Sequence, residues 1–214
     1  MRCLKKLDEP KVLEINKTKW LNDYLADKAN TTNKYRYRHS DIKQTLKEET
    51  GFKCIYCESK IGHNTPGDIE HKIPSSKEET KHFDWNNLTI ACTECNRRKN
   101  DYYKVGEEFL DPYIDNVEDI LEHHGPLVCW KAGQTRAEIT VRQLQLNSEF
   151  RAQLIFRKME KLDVLINLIE RWNSEENKTL KSLLFLQIEE MCSVQSEYSA
   201  MILAVLKEKA IIKG

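Results

Sequence analysis

The sequence has no surplus of charge of either sign: 34 Lys and Arg stand against 34 Asp and Glu. A wholesale basic surface is excluded, so any contact with nucleic acid must come from a local cluster of Lys and Arg. It also has no long apolar run. Nothing approaches the roughly 18 apolar residues of a membrane span. The opening MRCLKKLDEPKVLEIN lacks the apolar stretch of a secretory leader. A soluble, cytoplasmic protein is expected. Internal repeats and low-complexity tracts are absent too, which excludes repeat architectures. Hydrophobic residues make up 40% of the 214, enough for one large domain or a compact domain with a helical appendage. Cysteine is the exception to this plainness. Its count of 7 is odd, which argues against a complete set of disulfides. In a reducing compartment, cysteines paired at short spacing are metal ligands.

The apolar spacing predicts helices in three regions. Residues 11–28 carry Leu13, Trp20, Leu21, Tyr24 and Leu25 at helical intervals, and 30–40 read as a loop. Its Tyr35-Arg36-Tyr37-Arg38 run either touches nucleic acid or merely flanks the next helix. That helix is expected from Asp41 to Thr50, capped by Ser40 or Asp41 and stopped by Gly51. Residues 52–104 have little periodicity and suit a motif held by something other than an apolar core. Strands and turns are expected over 106–147. A long amphipathic helix follows from Ser148, through Phe150, Leu154, Met159, Leu165, Ile166 and Ile169 to Trp172, with two more helical stretches after residue 179. The expected units are 1–50, 51–105, 106–147 and 148–214.

Two C-x-x-C pairs, Cys54/Cys57 and Cys92/Cys95, can supply a closed four-sulfur shell, the mark of structural zinc. The gap between them is longer than in a compact zinc ribbon, so the ion clamps the base of an insertion. Cys3, Cys129 and Cys192 read as packing residues. Inside the clamp lie GDIEHKIPSS (67–76) and FDWNNLTIA (83–91), and CTECNRRKNDYY (92–103) closes it.

Glu-His, then Asn-Leu, then Cys-x-x-Cys-Asn-x-x-Lys resembles an HNH endonuclease with a ββα-metal site, over roughly residues 50–103. The resemblance implies an α+β fold: a ββα core clamped by the zinc site, with N-terminal helices and a mostly helical C-terminal region. It implies His71 as general base, Glu70 and Asn96 as ligands of a catalytic divalent ion, and Asn87 as the brace of the loop. Asn96 in place of the usual His leaves an all-oxygen shell, which shifts the expected ion to Mg2+ or Mn2+. Lys99, Arg97 and Arg98 are placed to meet phosphates, the arginines otherwise forming a solvated helix face. Asp68 reads as solvated charge, Asn86 competes with Asn87, and His63 and His82 receive no role. A narrower likeness joins LDEPKVL, IYCE, DIEHKIP, FDWNNL and CTECNRRK to the HNH subunit of Septu-type antiphage systems, a family that also supplies effectors to some retrons. It implies a partner ATPase of the ABC/SMC-like type and a nucleic-acid substrate, DNA or tRNA and other structured RNA. The alternatives are a stand-alone HNH nuclease of restriction or mobile-element type, or a zinc-clamped binding module without catalysis.

Overall fold

The computed structural model describes residues 1–62 and 66–212; His63 lies outside them. Pro10 starts α1 (Lys11–Ala26), its carbonyl accepting from the N–H groups of Leu13 and Glu14. The expected loop at 30–40 is partly helical. Asn30 caps the short α2 (Thr31–Lys34) by accepting from Asn33 N at 3.2 Å, and Arg36–Arg38 form a 3-10 turn. The next helix, α3, spans Ser40–Glu49. Its cap is neither Ser40 nor Asp41: the His39 ring, on the last extended residue, accepts from Asp41 N at 3.2 Å. Gly51 does end the helix. It sits at φ +64, where a Cβ would come within 2.8 Å of the Gln195 Cα.

Two strands, β1 (Asp68–His71) and β2 (Leu88–Ala91), pair antiparallel with Glu70 opposite Thr89 and His71 opposite Leu88. Only Cys92 separates β2 from α4 (Thr93–Lys99), which completes a ββα unit. The expectation that this segment lacks an apolar core is corrected by its packing. Ile69, Phe83, Trp85, Leu88 and Ile90 bury with Leu13 of α1 and with Ile42 and Leu46 of α3. These anchors sit on short strands and loops, where no period long enough to read can develop.

The next segment holds α5 (Val117–Ile120) and the hairpin of β3 (Leu121–His124) with β4 (Leu127–Trp130). Thr135–Gln143, expected among strands and turns, is instead helix α6. It buries Ala137, Thr140 and Val141, one face at spacings of three and four.

Three C-terminal helices follow: α7 (Ala152–Ser174), α8 (Lys178–Met191) and α9 (Ser199–Glu208). On α7 the buried stripe is Leu154, Lys158, Leu165 and Ile169. Phe150, Met159 and Ile166, which the spacing places on the apolar stripe, are 77%, 50% and 41% exposed. A lysine within the stripe disguised its true direction. The α9 N-terminus is tied to the first cysteine knuckle, where the Glu58 carboxylate accepts from Ser199 Oγ at 3.1 Å and Ala200 N at 3.2 Å. No helix among the described residues is long and apolar enough to cross a membrane. The architecture is α+β, a small ββα unit set between N-terminal helices and a helical C-terminal region.

Candidate active site and metal centre

Each cysteine pair is presented by local backbone structure. In the first knuckle Glu58 N donates back to Cys54 O at 3.0 Å. In the second, the Cys92 sulfur caps α4 by accepting from Cys95 N at 3.4 Å. The sulfur atoms of Cys54, Cys57, Cys92 and Cys95 all lie within 4.8 Å of one another. Shared hydrogen bonds push the Cys57 and Cys92 thiols below their usual range, whereas Cys54, chiefly through burial, and Cys95 are pushed well above it. Such a donor set fits a closed tetrahedral zinc site, which would leave no position open for substrate. Sequence reading missed Arg151. It is 7% exposed, and its guanidinium donates to Cys95 Sγ at 3.3 Å and to Leu144 O at 3.2 Å. Despite burial, the neighbouring thiolates hold its pKa above the ordinary arginine value. A buried cation here would offset the negative charge that the four sulfurs carry as ligands of an ion.

His71 ends β1 with its ring turned away from Glu70, as the strand pleat requires. The ring stacks on His82 at 4.8 Å and meets Tyr37 edge-on at 4.7 Å. Its Nε2 lies 2.9 Å from the His82 carbonyl, which can only accept. Nε2 therefore carries the proton and Nδ1 carries the lone pair. Burial pushes the His71 pKa down to about 3, and His82, Lys99 and Arg38 add to that shift. The ring is thus neutral near pH 7, and a phosphate arriving beside it would raise its basicity.

His82, given no role from sequence, anchors this arrangement. Its own Nε2 donates to Lys34 O at 2.7 Å, which leaves Nδ1 to accept from Ser75 Oγ at 2.6 Å. Nothing in the local sequence signals this, because its partners come from α2 and from the turn after β1. Asn87 is the brace between the loops. It is 4% exposed, accepts from Ile73 N at 2.7 Å, and donates to Ile73 O at 3.0 Å and Lys81 O at 3.1 Å. It fixes the segment after His71, whereas the imidazole itself is oriented by the His82 carbonyl.

Glu70 is buried on the other face of β1. Tyr56 donates to its Oε2 at 2.8 Å, and Lys99 Nζ lies 2.6 Å from its Oε1. Lys99 also donates to His71 O at 2.8 Å. The expectation that Lys99 meets phosphate is corrected by its burial: at 2% exposure its ammonium braces β1. Asn96 lies one turn earlier on α4, half-buried on the same helix face. A carboxylate has about four acceptor positions, so Tyr56 and Lys99 leave Glu70 with room for a further contact. Together with the amide oxygen of Asn96, this donor chemistry fits a hard divalent cation. Arg97 and Arg98 both pair with Glu94, at 2.9 and 2.6 Å, with Arg97 the more exposed. A cation without a carboxylate partner among the described residues comes from the Tyr-Arg run instead. Arg36 is held by Asp23 at 2.6 Å, whereas Arg38 has no carboxylate partner among the described residues. Arg38 lies over the Tyr35 ring at 4.2 Å and contributes positive charge at His71.

Residues 54–102 match the family model described as HNH endonuclease, the span occupied by the ββα unit and its cysteines. The chain is 27% identical to the Septu protein PtuB of Bacillus thuringiensis over 178 residues, which cover 77% of this chain and 68% of that protein. It is 26% identical to the Septu protein PtuB of Bacillus mycoides (strain KBAB4) over 184 residues, covering 68% of this chain and 62% of that protein. Two cysteine pairs, the Glu70-His71 strand and the Asn96 helix all fall inside the matched span, and residues 54–102 are an HNH endonuclease domain in a chain similar to Septu protein PtuB over most of its length.

Proposed function

We infer that the protein is a metal-dependent endonuclease that hydrolyses phosphodiester bonds, acting as the effector of an antiphage complex with an ATPase partner. The observation that carries the catalytic part is the fixed His71 tautomer. Its Nε2 proton is committed to the His82 carbonyl, which leaves Nδ1 to accept a proton from water. As the water oxygen bonds to phosphorus, that proton passes to Nδ1. The opposite P–O bond breaks, and the leaving oxygen takes a proton from solvent. Glu70 and Asn96 would hold a divalent cation, Mg2+ or Mn2+, which when bound supplies charge neutralisation at the phosphate and the leaving oxygen. Lys99 and Tyr56 fix the Glu70 carboxylate, Asn87 fixes the loop, and Arg38 is available to the phosphate backbone, with Arg97 only where it leaves Glu94. Zinc at the four cysteines has a structural part only. The ATPase partner is supported by the likeness to proteins of the Septu system.

The test compares wild type with His71→Ala, each with and without a candidate ABC/SMC-like ATPase partner. Supercoiled plasmid and total RNA are offered in Mg2+ or in chelator. Cleavage by wild type in Mg2+, reduced at least about 100-fold by the substitution, is the expected result. Equal cleavage by both proteins would remove His71 as the base. No co-purification with the ATPase would favour the stand-alone nuclease.

A further inference from the structure

A cavity of about 420 Å³ opens beside the nuclease strand, on the side that carries Glu70. One wall includes Tyr56, whose hydroxyl donates to Glu70, and the rim includes Lys72, the residue after His71. The chamber therefore adjoins the Glu70 carboxylate through Tyr56, on the face of β1 opposite the His71 ring. It is braced on both sides. Asn87 commits its amide to the backbone of Ile73 and Lys81. Arg136 donates to the carbonyls of Glu108 and Phe109, at 3.0 and 2.9 Å, and forks onto Asp115 at 2.8 and 2.9 Å. This holds Phe109 edge-on to Tyr56, with ring centroids 6.0 Å apart.

The chemistry inside discriminates between ligands. Lys72 is paired with Asp111 at 2.6 Å, Arg136 with Asp115 and Lys81 with Glu78 at 3.4 Å, so an anion would find these three cations already engaged. Tyr56, Tyr103, Phe109 and several aliphatic side chains line the chamber, together with the charged Lys81, Asp84 and Glu108. At the mouth, Asn86 spends its backbone N–H on Asp84 and leaves its side-chain amide to solvent. A flat ligand with hydrogen-bonding edges and no charge suits this lining. The volume lies within the range of roughly 300–1,000 Å³ typical of small-ligand sites. A single base fits, and a duplex does not.

We propose that this cavity is a nucleobase subsite, which takes the base of an unpaired nucleotide adjoining the scissile phosphate. Its aromatic wall packs the base, and Asn86 and Asp84 meet the polar edge. The location of the phosphate rests on the nuclease reading given above; the binding of a base does not. Because a paired base must first be unstacked, unpaired segments are the favoured substrates.

The experiment uses the full chain carrying His71→Ala, so that nothing is cut. Single-stranded oligonucleotides with one 2-aminopurine are titrated against the same strands with an abasic site at that position, and against the paired duplex. Expected is about tenfold tighter binding of the intact strand than of its abasic counterpart. Asn86→Ala and Tyr103→Ala, checked for an unchanged thermal transition, should each shrink that difference, and Tyr103→Phe should retain it. Equal affinity for intact and abasic strands, or no measurable binding of either, would overturn the proposal. So would a difference that survives both substitutions. Base-dependent binding by a wild-type protein that cuts nothing in Mg2+ would uphold the subsite while removing the nuclease reading.

Discussion

Lys99 and Glu70 form an ion pair in which both side chains are 2% exposed. Taking either charge away strands the other in a medium that solvates it poorly. Lys99→Met is expected to cost about 3–5 kcal/mol in urea unfolding. Glu70→Gln on the same background should recover part of that loss, since no bare carboxylate is then left. Full additivity of the two substitutions would show that the pair is not coupled. Sequence showed the Glu70-His71 dipeptide and its Asn-Leu and Asn-x-x-Lys companions, because their spacing along the chain is the signal. It did not show Lys99 turning inward, which depends on how α4 docks against β1. His123 on β3 is a second residue of this kind. Both of its ring nitrogens are buried without a partner among the described residues. Burial pushes its pKa down to about 3, with the positive charges of the Met1 amino group, Lys158 and His124 adding and Glu58 opposing. The unfolded chain, with an ordinary histidine near 6.5, binds more protons than the fold between those values. Stability from this residue is present above pH 6.5 and is lost as pH falls toward 3. His123→Leu should therefore gain on wild type by up to about 1.4 kcal/mol for each pH unit below 6.5, read from denaturation at pH 8 and pH 5. An advantage that is equal at the two pH values would contradict this.

At the scale of elements, the two C-x-x-C knuckles were plain in the sequence, and their convergence within 4.8 Å follows from the β1–β2 pairing between them. What supports them was not plain. Arg151 lies far along the chain, in the 3-10 turn that leads into α7, and reaches Cys95 only after the C-terminal helices have packed. The helical period of that region was readable, but its rotation was not, because the buried stripe includes Lys158. If Arg151 compensates the thiolate charge, Arg151→Ala should weaken zinc binding by about 10–100-fold, measured by competition with a chromogenic chelator. Arg151→Lys should restore part of the affinity. Since the first knuckle also holds the α9 N-terminus through Glu58, stripping zinc should lower the thermal transition of α9 together with that of the ββα unit. Helical signal that melts unchanged after chelation would mean that the two are independent.

For the whole molecule, 34 acids against 34 bases mean that attraction to a polyanion is local. Much of the cationic charge near the site is already spent: Lys99 on Glu70, Lys72 on Asp111, Arg36 on Asp23, and Arg97 with Arg98 on Glu94. Arg38 is different. It has no carboxylate partner among the described residues, stacks over Tyr35, and bears on His71. Each phosphate neutralised by a protein cation contributes about 0.7–0.9 to the slope of log affinity against log salt. With so many of the cations beside the site already paired, binding there should show a shallow slope. Arg38→Ala should reduce that slope by about one contact and weaken binding alike across sequences. Arg97→Ala should have a smaller effect, because Glu94 competes for its guanidinium. Both are read by titrating the His71→Ala protein against one oligonucleotide at several salt concentrations. A slope unchanged by Arg38→Ala would leave the Tyr35-Arg36-Tyr37-Arg38 run as a support for the histidine pair alone, with the phosphate held from α4.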